Sequence, residues 1–141
     1  SYRHEAHFEI GWVFDREMKY TEALKSFEAA GRNRAGVGAR AFFMIGDVYF
    51  KQKQFSEAIK QFDRTLLRFD TEDAKPWQAL SAYEAGRCKE VLAEEAKDAE
   101  VKKELVRQAI DYYQRIVDVY SETEHVEMAK SRITELMKLL Q

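Results

Sequence analysis

The stretch from Ala39 to Leu67 reads ARAFFMIGDVYFKQKQFSEAIKQFDRTLL, and it decides the architecture of the chain. Apolar residues recur at helical spacing on both sides of the polar segment Lys51–Gln54, which predicts two amphipathic helices joined by a tight turn. The small residues Gly46 and Ala58 lie where these helices could cross closely. Because a glycine inside a helix costs about 1 kcal/mol relative to alanine, we expect a packing reason for Gly46.

The same pattern occurs 35 residues earlier in the chain. The matching positions hold identical or similar residues: Phe8 and Phe43, Ile10 and Ile45, Gly11 and Gly46, Val13 and Val48, Phe14 and Tyr49, Tyr20 and Phe55, Ala23 and Ala58, Leu24 and Ile59, and Phe27 and Phe62. A fixed period of this length is typical of repeat architectures, in which each unit buries its apolar face against the next.

A third unit follows, but it is longer than the first two. Gly86 takes the position of Gly46 and Ala109 that of Ala58, and the distance between them exceeds the earlier one by 11 residues, about three helical turns. The inserted residues are rich in Glu, Ala and Lys, which favour helix. We therefore predict that both helices of this hairpin are lengthened and meet near Lys97–Glu100. A single uninterrupted helix from Pro76 to Tyr120 is the alternative.

These units divide the chain into one domain of four parts. We place the first repeat at about residues 4–36, the second at 39–70, the elongated third at 75–120 and a capping helix at 122–140. Ser121 and Glu124 have the spacing of a capping box at the start of that last helix. Because the chain begins without a methionine and almost directly in a helix, we expect it to be a segment of a larger protein.

Composition narrows the function classes. The net charge is −2 and the pI about 6.0, so no basic field attracts nucleic acid. No apolar run reaches the length of a membrane span, and we predict no direct membrane insertion. We also predict no metal, no cofactor and no catalytic residues, since no nucleophile motif or phosphate-binding loop is present. The single cysteine, Cys88, takes the position of Val13 and Val48 in the helical pattern, so we expect a buried packing residue rather than a reactive thiol.

The repeated residues resemble the tetratricopeptide repeat, a helix–turn–helix of about 34 residues. The residues that carry the resemblance are Ile10, Gly11, Phe14, Ala23, Phe27 and Ala30 in the first unit, Phe42, Ile45, Gly46, Tyr49, Ala58 and Phe62 in the second, and Gly86, Ala109, Tyr113 and Ile116 in the third. The third unit departs from the pattern with Ala82 and Lys89 where aromatics are expected. The resemblance implies an all-α, right-handed α-solenoid of three hairpins plus a C-terminal helix.

The ends of two helices resemble one particular group of tetratricopeptide repeat proteins. The strings Leu66–Asp70 and Ile116–Ser121 are similar to those of bacterial tol-pal coordination proteins and outer-membrane assembly lipoproteins, although these usually carry Tyr-Pro where this chain has Phe-Asp and Tyr-Ser. This similarity implies a place in the periplasm or cell envelope of a bacterium. The residues alone leave a cytoplasmic location equally open.

The resemblance also implies a concave groove formed by the first helix of each repeat. The residues expected to form a partner-binding surface there are Phe8, Trp12, Arg16, Phe43, Asp47, Phe50, Lys51, Tyr83 and Arg87, with Asp15, Arg40, Leu80 and Glu90 beside them. Aromatic side chains next to arginines suit the capture of a peptide or helix. The plainer interpretation is that these aromatics only pack between helices.

We therefore predict a non-catalytic protein-interaction module that acts as a scaffold or adaptor. The lysines and asparagine that grip a carboxylate terminus in chaperone-binding relatives are replaced by Phe8 and Trp12, so no such clamp is expected. The alternative is a self-associating structural segment of an envelope-biogenesis protein. Such a homo-oligomer would pair through the open first helix, with Phe8 and Trp12, and through the projecting third hairpin. An enzyme is the third and least supported class.

Overall fold

A computed structural model describes residues 2–141 of the chain. These residues form seven α-helices and two short 3-10 turns, with no strand within the described range. The helices are α1 (Tyr2–Arg16), α2 (Tyr20–Ala30), α3 (Gly36–Lys51), α4 (Phe55–Arg68), α5 (Lys75–Glu95), α6 (Ala99–Val119) and α7 (Val126–Met137). The 3-10 turns are Glu72–Ala74 and Lys138–Leu140.

The helices stack as an all-α solenoid of three hairpins plus a C-terminal helix, as predicted. Each helix packs on its neighbour in sequence, and α3 additionally packs on both α1 and α5. The hairpins are therefore α1–α2, α3–α4 and α5–α6, and α7 lies on α6 at the end of the stack. The first helices α1, α3 and α5 thus form one continuous face, which carries the predicted binding residues.

A glycine at the crossing of each hairpin lies directly against an aromatic ring of the second helix. A Cβ atom added at Gly46 would lie 2.4 Å from the ring of Phe62, far inside van der Waals contact. The same relation holds between Gly11 and Phe27 at 2.8 Å, and between Gly86 and Tyr113 at 2.7 Å. The absence of a side chain at these positions lets the helices approach closely, which is the packing reason expected for Gly46.

The third hairpin is elongated, as the insertion predicts. Helices α5 and α6 have 21 residues each, against 15 and 11 in the first hairpin and 16 and 14 in the second. The turn lies at residues 96–98, so the alternative of one uninterrupted helix is wrong. Asp98 caps α6, because its carboxylate accepts hydrogen bonds from the backbone N–H groups of Glu100 and Val101 at 2.9 and 3.0 Å.

Two local expectations are wrong. The capping box does not form, since α7 begins only at Val126 and no side chain caps it. Thr123 instead donates its hydroxyl to the carbonyl of Tyr120 at 2.7 Å, which holds residues 120–123 in a turn that closes the preceding helix. The second repeat is expected from about residue 39, whereas its first helix α3 already starts at Gly36.

Gln78, on α5, satisfies carbonyl groups at the C-terminal end of α4. Its buried side-chain amide donates to the carbonyls of Thr65 and Phe69, at 3.1 and 2.7 Å. The last carbonyls of a helix lack partners within the helix, so a buried amide from α5 satisfies them and fixes α5 against the end of α4. Nothing in the sequence pattern marks this glutamine as structural.

Cys88 is fully buried in the core between α4 and α5, with Ile59 and Phe62 beside it. Burial raises the pKa of its thiol to about 12, with a smaller contribution from Glu84. The thiolate is the reactive form, so the folded chain should resist thiol reagents at pH 8. We expect a disulfide reagent to label the native chain at least 100-fold more slowly than the chain in denaturant. Labelling at similar rates would show that the thiol is accessible.

Candidate functional site on the first helices

The nine predicted binding residues lie on α1, α3 and α5, and we call their common surface the first-helix face. These nine residues differ in how far their side chains are exposed to solvent. Trp12, Arg16, Lys51 and Arg87 are exposed, Asp47, Phe50 and Tyr83 are partly buried, and Phe8 and Phe43 are buried. The exposed members are therefore available to a partner, whereas the buried ones support the surface from below.

The two buried aromatics belong to the core. Phe8 is 3% exposed and its ring centroid lies 5.5 Å from that of Phe27. Phe43 is 8% exposed and lies between Phe62 and Trp77, at centroid distances of 5.7 and 5.9 Å. For these two positions the plainer interpretation of packing between helices describes the structure.

A carboxylate–lysine network joins α1 to α3. The Lys51 ammonium group lies 3.0 Å from Asp15 on α1 and 3.1 Å from Asp47, one turn back on α3. Partial burial alone would lower the pKa of Lys51, but its hydrogen bonds to the two carboxylates outweigh this and the pKa is raised. The lysine therefore stays charged. Because its side chain is 42% exposed, it also remains within reach of a ligand.

A cation–aromatic contact joins α3 to α5. The guanidinium of Arg87 lies 5.1 Å from the ring centroid of Phe50, which meets Phe55 edge-on at 5.3 Å. Arg87 also donates to both oxygens of Glu84 at 3.0 and 2.9 Å. Burial raises the pKa of Glu84 despite this partner. Phe50 therefore presents an aromatic surface with the positively charged guanidinium of Arg87 at its edge.

Trp12 and Arg16 form a similar pair on α1. The Arg16 guanidinium lies 4.7 Å from the centroid of the indole ring, and Trp12 is 37% exposed. Arg16 makes no ion pair within residues 2–141. An exposed tryptophan with a nearby unpaired arginine presents the two residue types that most often dominate protein-binding surfaces.

Arg40 makes further cation–aromatic contacts on this face, near the start of α3. Its guanidinium lies over Phe8 at 4.1 Å and over Trp77 at 5.3 Å, so it bridges α1 and α5 across α3. A cleft of about 580 Å³ opens beside it. Its lining comes from α1 and the start of α3: Tyr2, Glu5, Ala6, Phe8, Glu9, Val37 and Arg40.

At the far end of the face, Tyr83 and Glu90 contact His125 and Arg132, two residues that the sequence pattern did not assign to the face. Tyr83 stacks on His125 at a centroid distance of 6.1 Å, and Glu90 binds both the hydroxyl of Tyr113 and the guanidinium of Arg132 on α7. Tyr83, Arg87, Glu90, Val91, Glu94, Tyr113 and Arg132 line a depression of about 200 Å³. Arg132 lies on the C-terminal helix, which the sequence pattern predicts as a cap and not as part of the face.

The first-helix face offers aromatic rings, guanidinium groups and carboxylates in fixed pairs, which suit side chains of a peptide. Within residues 2–141 no cluster of three or more His, Cys, Asp or Glu side chains could hold a metal ion. Among the described helices, none combines the length and apolar character that crossing a membrane requires.

Stacked helical hairpins with such a face define the class of helical-repeat proteins. Residues 8–76, which run from α1 into the start of α5, match the family model of the tetratricopeptide repeat. This match supports a tetratricopeptide repeat protein, and the repeats of that family in general mediate protein–protein interactions and are typically non-catalytic. A comparison with curated proteins gave no significant match.

Proposed function

We propose that the first-helix face is the concave groove of this solenoid and that it binds a peptide or helix of a partner protein. The chain would then act as a non-catalytic scaffold or adaptor. The observation that carries the proposal is the pairing of aromatics with guanidinium groups, the exposed Trp12 with Arg16 and the partly buried Phe50 with Arg87. Rigid rings of this kind give apolar contact area at little cost in side-chain entropy.

The charges of the face suggest the chemistry of the partner segment. Arg87 and Lys51 are partly neutralised by Glu84, Asp15 and Asp47, whereas Arg16 has no carboxylate partner within the described residues. A segment with apolar or aromatic side chains and a carboxylate that reaches Arg16 would satisfy both features. We infer that such a segment binds along α1, α3 and α5 with its acidic residue at α1.

A selection experiment tests this proposal. Peptides selected from a random library on the immobilised 141-residue chain should bind the Trp12→Ala variant at least ten-fold more weakly, a loss of about 1.4 kcal/mol. Arg16→Ala should weaken peptides that carry an acidic residue more than those that lack one. Fluorescence polarisation with labelled peptides measures both effects.

Leu67 provides a matched control, because it is 79% exposed and lies on the second helix α4, away from the first-helix face. The Leu67→Ala variant should bind the selected peptides as tightly as the parent chain. Circular dichroism would verify that all variants fold. Peptides that lose affinity on Leu67→Ala but keep it on Trp12→Ala would place the binding surface elsewhere.

A further inference from the structure

The outer edge of α1 exposes apolar positions that are buried in every other first helix. Ile45 and Val48 of α3 lie in the core with Phe27 of the preceding helix α2. Their equivalents in α5, Ala85 and Cys88, lie in the core with residues of α4. At all four positions the side chain is at most 2% exposed.

The equivalent residues of α1 have nothing packed over them in the structure. Ile10 is 48% exposed and Val13 is 49% exposed, and Ala6, one turn before Ile10, is exposed as well. At the opposite end of the stack, α7 exposes the polar residues Lys130 and Thr134 together with Met128 and Met137, which are 51% and 52% exposed. A solenoid needs a polar outer face at its ends, so the apolar edge of α1 is an unfinished interface.

The residues of this edge follow the spacing of a helix–helix seam. Arg3, Ala6, Ile10, Val13 and Glu17 are separated by three, four, three and four residues, so they form one stripe along the helix. Glu17 continues the stripe just beyond α1, since its backbone N–H still bonds the carbonyl of Val13 at 3.1 Å. The stripe is therefore apolar in its centre, with a cation at one end and an anion at the other.

This charge pattern is complementary to itself when two copies lie antiparallel. With Ile10 opposite Ile10 of a second copy, Arg3 lies opposite Glu17 of that copy, and Glu17 opposite its Arg3. A parallel arrangement would place like charges together at both ends. Arg3 makes no ion pair within residues 2–141, whereas Glu17 contacts only the exposed Lys19 at 3.1 Å.

We propose that this chain forms a two-fold symmetric dimer through an antiparallel pair of α1 helices centred on Ile10. The surface is separate from the exposed residues of the first-helix face, so the dimer does not depend on the function proposed above. A helix of 15 residues is about 22 Å long and buries less than the roughly 800 Å² per partner of a standard interface. The dimer is therefore weak, with a dissociation constant on the order of 10 µM.

Analytical ultracentrifugation of the 141-residue chain, over concentrations that bracket about 10 µM, tests the dimer. Ile10→Glu should give a monomer throughout, because it places two carboxylates at the centre of the seam. Glu17→Arg should weaken association at least ten-fold, because the new guanidinium then faces Arg3 of the second copy. The double variant Arg3→Glu/Glu17→Arg should restore it, since the pairing is only inverted.

Leu67→Glu is the control for Ile10→Glu, since it adds the same charge at an exposed apolar residue on α4 and should leave the dimer unchanged. Circular dichroism confirms the fold of each variant. A strictly monomeric parent chain overturns the proposal, and so does a dimer that survives Ile10→Glu. Failure of the double variant to restore association overturns the antiparallel register.

Discussion

Replacing Gly46 with alanine should lower the free energy of unfolding by about 3 kcal/mol. Helix propensity alone predicts the opposite sign, a gain of about 1 kcal/mol. The added methyl group would lie 2.4 Å from the ring of Phe62, which is fully buried and is itself held by Phe43 at a centroid distance of 5.7 Å. Because the ring cannot swing away, the helices α3 and α4 must separate. Urea unfolding followed by circular dichroism measures the change.

Two variants isolate the steric cause. In Gly36→Ala the new methyl group meets the Asp73 side chain and carbonyl at 3.1 Å, a milder contact at the first residue of α3, so the loss should stay below about 1 kcal/mol. Adding Phe62→Leu to Gly46→Ala should recover at least about 1 kcal/mol relative to the sum of the single changes, because the smaller side chain leaves room. Strict additivity would show that the contact with Phe62 is not the cause.

The repeat period explains why so much of the fold could be predicted. A glycine 16 residues before an aromatic in the first two hairpins, and 27 residues before it in the third, marks the crossing point and the 11-residue insertion together. Local sequence signals, such as capping motifs, predict the structure less well than the repeat period does. Ser121 and Glu124 have the spacing of a capping box, yet Thr123 bonds the carbonyl of Tyr120 instead and delays α7 to Val126. Local side-chain competition of this kind is invisible to a periodic pattern.

The sequence predicts which residues lie on the first-helix face, but it does not predict which of them are buried. The period assigns Phe8, Trp12 and Phe43 alike to the first-helix face, but it does not tell which of them neighbouring helices cover. Phe43 is covered in part by Trp77, which reaches it from the start of α5. Trp12 stays exposed. Contacts with other helices, both within a hairpin and between hairpins, decide the difference.

Glu90 should be the most sensitive charged residue of the third hairpin, and Glu90→Ala should cost about 2 kcal/mol. Its carboxylate accepts from the hydroxyl of Tyr113, a residue with no exposed surface, and from the guanidinium of Arg132 on α7. Burial raises the pKa of Tyr113, and the bond to Glu90 raises it further, so the phenol remains a donor at all ordinary pH values. Without Glu90 this buried donor and the guanidinium both lose their partner.

The loss should be local to the end of the stack. Because Glu90 holds α7 through Arg132, hydrogen–deuterium exchange in Val126–Met137 should accelerate in Glu90→Ala, while exchange in α1–α4 stays unchanged. Glu127→Ala on the exposed side of α7 is the matched control and should change neither quantity. The Glu90–Arg132 pair should also show coupling in a double-mutant cycle with Arg132→Ala. Unchanged exchange in α7 would mean that apolar packing of Ala129 and Leu136 holds this helix without the charged network.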